Sequence, residues 1–220
     1  MAGFVESVIQ ETVEPGVQRL MENRYFSELR EGKLSVRRLQ GWALQHYLHN
    51  VSLCKGFALC LVKNAHDPIL YPYFLQQLSE EKDHPDLAKR FGLALGLREE
   101  DFARASPIFE CLAHTSGVIR AMFLGAPAEN RASALVNESM VQRYSEEFHT
   151  HLQKHYGLGG KDLEFFTVHA VADREHTARA AEIIARHTGT PEARQQVREA
   201  AGHMVHFKLA KFEGIYQAYA

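Results

Sequence analysis

The chain has 220 residues, 45% of them apolar and 24% charged, with a net charge of −2 from 25 basic and 27 acidic side chains. That length is read as one domain over residues 1–220, large enough to bury a core without disulfide staples. The charge balance gives no electrostatic footing for nucleic acid or an anionic membrane, and no apolar run approaches the ~18 residues of a membrane span.

Almost every segment repeats its apolar residues at a helical period. Residues 4–30 predict a helix interrupted at Pro15-Gly16 and stopped by Gly32. Ser35 is placed to cap a long helix to about residue 64, with Leu39, Trp42, Ala43, Tyr47 and Val51 at helical spacing. A third helix is expected over about residues 69–96, with Pro85 ending or kinking it at His84. REEDFARA reads as a short connector. Further helices are expected over about 107–124 and 129–156, each closed by glycine. A sixth starts near Lys161 and runs to the HTGTP turn. Thr190-Pro191 opens the last one with a cap followed by proline. No strand signal and no Gly-rich phosphate loop is present. The expectation is an all-α bundle of about seven helices, an architecture that can hold metals between facing helices.

The three cysteines, Cys54, Cys60 and Cys111, form no Cys-x-x-Cys pair, and two lie in the apolar run VSLCKGFALCLV. They read as buried free thiols, which fits a reducing cytoplasm. The segment MAGFVESVIQ carries Glu6 and no basic flank, so it does not read as a signal peptide.

Histidine is the unusual total, at 13. In FFTVHAVADREHTARA, His169, Asp173 and His176 fall at i, i+4 and i+7, within an arc of about 60° on a helix. A stripe of two imidazoles and a carboxylate, with no Lys or Arg in it, is unusual for a solvated face, and the segment alone admits either that face or a metal site. In QQLSEEKDHPD, Glu81 and His84 stand at i, i+3, and Glu80 is at i, i+4 from the same histidine. The Glu-x-x-His spacing delivers one oxygen and one nitrogen to the same metal in di-iron bundles, and either glutamate satisfies the geometry. Glu138 sits among Leu135, Val136, Met140 and Val141, where a carboxylate is costly unless paired or metal-bound. Oxygen and imidazole donors suit iron or manganese, whereas structural zinc more often uses cysteine.

Together, Glu81-x-x-His84, Glu138 and His169-x-x-x-Asp173-x-x-His176 resemble the haem-oxygenase-like di-iron oxidases. That superfamily also holds pyrroloquinoline-quinone synthase, thiaminase-type enzymes and haem oxygenase. The segments NRYFSELREGKLS and LQGWALQHYLHN resemble the family's first two helices, so the likeness spans most of the chain. The resemblance implies a seven-helix bundle holding two irons, with O₂ as co-substrate and manganese as the alternative ion. It implies a small amino-acid-like or fatty-acid-like substrate, an external electron donor, a place in biosynthesis and a homodimer. Members that form p-aminobenzoate consume a tyrosine of their own and need a lysine. Phe26 and Phe148 stand at the matching positions here, with Tyr25 adjacent. Thiaminase-type members need a cysteine on the fifth helix, haem oxygenase an axial histidine near its start, and neither is present. Phe26, Tyr47 and Arg143 are the expected substrate-pocket residues, although Arg143 is also spaced to pair with Glu147. The rival readings are a metal-free member of the fold, acting as a cofactorless oxidase or a hydrolase, and a non-enzymatic binding protein.

Overall fold

The computed structural model describes the backbone of residues 2–220 and the side chains of residues 3–170 and 176–220. Its elements in chain order are α1 (Ala2–Val8), a π-helical turn (Ile9–Val13), α2 (Glu14–Met21), α3 (Arg24–Arg30) and α4 (Val36–Lys63). Then come α5 (Leu70–Glu81), α6 (His84–Ala94), α7 (Glu99–Arg104) and α8 (Phe109–Leu124). The chain closes with α9 (Pro127–Tyr156), a 3₁₀ turn (Gly160–Leu163), α10 (Glu164–His187) and α11 (Pro191–Ala218). No strand occurs among the described residues.

Local chemistry sets these boundaries. Asn23, Ser35 and Thr190 each lie in extended backbone, and their side chains accept from Phe26, Arg38 and Ala193 amides at 3.2 Å. Each of these bonds satisfies one amide that the first helical turn leaves over. Gly157, at φ 68°, closes α9 in the left-handed conformation, where a side chain would be strained.

Two sequence expectations change. Pro15-Gly16 does not break the first helix. The π turn lets Pro15 fall in the first turn of α2, where a missing amide costs nothing. Gly16 instead serves close packing, because a Cβ there would lie 2.7 Å from Val205 on α11. The expected third helix is two elements, α5 and α6, separated at Lys82-Asp83 with Pro85 in the first turn of α6.

Trp42 on α4 is the hub of the core. It stacks on His46 at 4.5 Å and meets Phe91, Phe148, Phe165 and Phe166 from α6, α9 and α10 at 5.1–5.7 Å. The long helices pack as α9 along α10 and α11, α4 along α5, α6 and α8, and α8 along α11. Gln45 locks α4 to the rest: its amide donates to the Ser106 carbonyl and the Tyr219 hydroxyl, and its carbonyl accepts from the Ile108 amide. Burial of these aromatic side chains contributes most, at roughly 1.5–3 kcal/mol for each large apolar side chain.

Candidate metal centre

The break between α5 and α6 builds the site. Glu81 is the last residue of α5 and His84 the first of α6. The turn between them aims both inward, and both are buried. Glu81 Oε2 lies 2.5 Å from His84 Nδ1. His169 arrives from α10, its ring 4.4 Å from that of His84. Glu81, His84 and His169 each place one ligand atom within 4.8 Å of the others.

The imidazoles are oriented from behind. His169 stacks on Phe165 at 4.0 Å, and its Nδ1–H donates to the Phe165 carbonyl at 2.7 Å. A carbonyl only accepts, so the proton sits on Nδ1 and the lone pair on Nε2. His176, one helical stripe further along α10, donates from Nε2 to Glu80 Oε2 at 3.0 Å. That leaves the His176 Nδ1 lone pair turned towards Glu81 Oε1, 4.0 Å away. Outer carboxylates and carbonyls of this kind fix the tautomer of metal-binding histidines.

The two neighbouring glutamates take different parts. Glu81 is buried in the cluster; burial raises its carboxyl pKa, but His84, His169 and His176 outweigh that and hold it below the usual value. Glu80 lies nearer the surface, where burial is outweighed by hydrogen bonds from Arg179 and Gln76, and its pKa also falls. Arg179 donates to Glu80 Oε2 at 2.8 Å. Glu80 thus bonds His176 and stands outside the Glu81–His84–His169 group.

Glu138 is also buried and lines a cavity with Glu81 and His169. This cavity encloses about 40 Å³. Its apolar wall is Leu53, Phe57, Val118, Met122 and Val141, and its polar wall includes His46, His49, Asn50, Arg131 and Asn137. Asp173 lies outside the residues whose side chains are described.

The expected pocket residues lie elsewhere. Phe26 is fully buried in an aromatic cluster, 5.8 Å from Phe148 and 5.0 Å from Phe212. Tyr47 packs edge-on against Phe102 at 5.2 Å, on the flank of α4 towards α7. Arg143 is at the surface and pairs with Glu146 and Glu147, both at 3.0 Å. None of the three borders the cavity. Arg131 does, and the sequence reading passed over it. The available signal was its place seven residues before Glu138, which puts both on one face of α9.

Behind the polar wall lies a second buried group of opposite character. Lys211 on α11 donates to His46 Nδ1 at 3.2 Å, and His49 is 4.7 Å from the His114 ring and 2.9 Å from the Thr115 hydroxyl. Burial first, then Lys211, pushes the pKa of His46, His49 and His114 well below the ordinary value. Burial pushes Lys211 itself down to about 8.

An all-α bundle of this layout is the haem-oxygenase-like fold. It matches a TenA homologue from Pseudomonas syringae with a TM-score of 0.86 at 16% identity, over 99% of this chain and 96% of that one. A domain with a haem oxygenase-like fold from Shewanella denitrificans matches with a TM-score of 0.85 at 16% identity, over 96% and 91% of the two chains. Within that fold the chain belongs to the iron-containing redox enzyme family, whose model matches residues 40–208. Two relatives are named 4-aminobenzoate synthase. The one from Nitrosomonas europaea is 27% identical over 98% of this chain and 90% of its own length. The one from Chlamydia pneumoniae is 23% identical over 76% of each.

The residues present fit an iron. The cluster offers hard carboxylate oxygen and imidazole nitrogen, is buried, contains no thiolate, and has its imidazoles held from behind. No helix among the described residues is long and apolar enough to cross a membrane.

Proposed function

We propose that this protein is a non-haem di-iron oxidase or oxygenase that uses O₂ to oxidise a small organic substrate in a biosynthetic pathway. The observation that carries this reading is the buried Glu81–His84–His169 cluster, two of whose members, Glu81 and His169, line a largely apolar cavity. Glu81, His84 and His169 would hold iron, with Glu138 at the cavity wall and His176 beside Glu81. Asp173 completes the set on the family resemblance. Bound iron supplies the electron exchange with O₂ that side chains alone do not provide.

The chain's own residues do the rest. Phe165 fixes the face of His169 that meets the metal. Glu80, itself held by Arg179, does the same for His176. Leu53, Phe57, Val118, Met122 and Val141 keep the neighbouring space dry, which strengthens every electrostatic interaction inside it.

The relatives' name favours a second reading, formation of 4-aminobenzoate. The self-consuming route implied by the family resemblance needs a tyrosine and a lysine where this chain has Phe26 and Phe148, which pack on one another deep in the core. Tyr25 is adjacent, but its hydroxyl donates to the Arg38 carbonyl at 3.3 Å, and the residue does not border the cavity. An external substrate is therefore the better reading. A reduced partner supplying electrons, a cytoplasmic setting and a homodimer belong to the same proposal. The exposed apolar side chains Leu59, Val62, Phe123 and Leu124 on α4 and α8 support self-association.

Anaerobic loading with Fe(II), followed by metal analysis and exposure to O₂, tests the reading. It predicts about two irons per chain, as in the di-iron bundles, and O₂ uptake that depends on them. Absence of bound iron, or O₂ uptake unchanged without it, contradicts the proposal.

A further inference from the structure

Glu81, His84 and His169 are all buried, so a metal ion must pass between helices to reach them. The cavity that Glu81 and His169 line measures about 40 Å³, room for on the order of three waters. Outside it, between α8, α9 and α11, lies a surface cleft of about 500 Å³. Ser133 on α9 lines both spaces, and no other described residue does. A smaller pocket of about 260 Å³, between α4 and α8, meets the cavity at His49.

The two walls differ in what holds them shut. The His49 ring is fixed to α8 by a 2.9 Å hydrogen bond with the Thr115 hydroxyl, and the rings of His114 and His46 flank it at 4.7 and 5.7 Å. Opening that wall breaks a bond between two helices. Ser133 is a small buried side chain whose hydroxyl donates to the Glu129 carbonyl of its own helix at 3.3 Å. Parting α8 from α9 leaves that bond intact, and α8 packs chiefly along α4 and α11. Met122 lines the cavity and Met204 the cleft, both unbranched thioethers that shift rotamer readily. The cleft also suits an arriving cation. Glu129, Glu199 and His203 line it, against a single basic group, Arg120, which pairs with Glu129 at 3.3 Å.

We propose that divalent metal enters the buried cluster from this cleft, with Ser133 as the gate. A gate lies on the path in both directions. Blocking it slows entry and release alike and leaves their ratio, the affinity, unchanged.

This inference rests on the metal site proposed above, not on its reaction with O₂, and its test reads exchange rates. Cobalt(II) uptake by the metal-free protein, and cobalt release to excess chelator, are followed by stopped-flow absorbance. In Ser133→Trp both rates are expected to fall at least ~10-fold, with the dissociation constant held within about 3-fold. Ser133→Cys gives the same reading on one folded protein, and it decides the matter if the tryptophan variant does not fold. A benzyl thiosulfonate coupled to the new thiol should slow both rates, and a reductant should restore them. The unmodified protein, treated alike, accounts for the native thiol of Cys54. Leu112→Trp, in the pocket outside His49, should change neither rate. Unchanged rates in the Ser133 variants, or slowing by Leu112→Trp instead, overturn the gate. So does slower uptake with unchanged release, which marks a damaged site. Protein that binds no cobalt overturns the gate together with the iron reading. Gated exchange without O₂ uptake by the iron-loaded protein refutes the oxidase and leaves the gate standing.

Discussion

Buried histidines occur in two groups on either side of one cavity, and their surroundings are opposite. At the acidic pole, His84, His169 and His176 face Glu81, with Glu80 behind. At the basic pole, His46, His49 and His114 face Lys211, and no carboxylate stands among the causes of their pKa shifts. The same side chain thus serves two ends. Paired with carboxylates, imidazole lone pairs are gathered where a cation neutralises the cluster. Beside a lysine, burial keeps the imidazoles neutral, and they become hydrogen-bonding parts of the core. Histidine count alone says little; the charge that faces each ring decides its role.

The largest expected effect is at the acidic pole. His84→Ala removes a first ligand, and iron binding is expected to be lost, a larger effect than the 10–100-fold that outer partners are worth. Metal analysis after anaerobic loading and desalting reads it directly. Iron retained at the level of the unmodified protein would erase the distinction between the poles.

At the basic pole the effect is on stability, with the opposite sign. Lys211 has a pKa of about 8 in the fold against an ordinary 10.5. Between those values the unfolded chain holds a proton that the folded chain does not, so stability rises with pH across that window. Below about pH 8 the folded state carries the full cost of a buried ammonium, at most about 3 kcal/mol. The groups facing it are His46 and His49 on α4, Cys111 and His114 on α8, and Lys208 on its own helix. Lys211→Met is therefore expected to stabilise the protein at pH 7 by about 1–3 kcal/mol. It should also flatten the rise in stability between pH 8 and 10.5. Urea denaturation at pH 7 and pH 10 checks both, and a destabilised variant at pH 7 would show that the ammonium is compensated.

Glu80→Gln tests whether the second carboxylate positions or ligates. Losing the charge that holds His176 is expected to weaken iron binding by roughly 10–100-fold without abolishing it. Chelator competition distinguishes this from the complete loss expected at His84. The smallest effect is expected at Arg143, whose exposed pairs with Glu146 and Glu147 are worth about 0.2–1 kcal/mol. Arg143→Ala should leave iron content unchanged.

The sequence carried most of the fold because helices announce themselves locally. Ser35, Thr190 and Gly157 mark helix ends through their own hydrogen bonds or backbone, and Pro85 marks the break that creates the site. Glu81, His84 and His169 were singled out by their spacing in the sequence, although Glu81 and His84 meet across the α5–α6 break rather than on one helix face. What was not legible depends on packing between distant segments. Gly16 reads as a breaker, yet only the approach of Val205 explains it. Phe26 and Tyr47 are apolar enough for a pocket or a core, and nothing local tells which. Arg131, Lys208 and Lys211 carry no local mark of burial, since charged side chains seldom lie fully buried, and only the assembled bundle places them inside.

The central claim is that one pole binds iron and the other does not. Iron per chain, measured side by side in His169→Ala and Lys211→Met after identical anaerobic loading, tests it most directly. The account predicts that His169→Ala loses its iron while Lys211→Met keeps the complement of the unmodified protein. A full complement in His169→Ala, or equal loss in both, contradicts it.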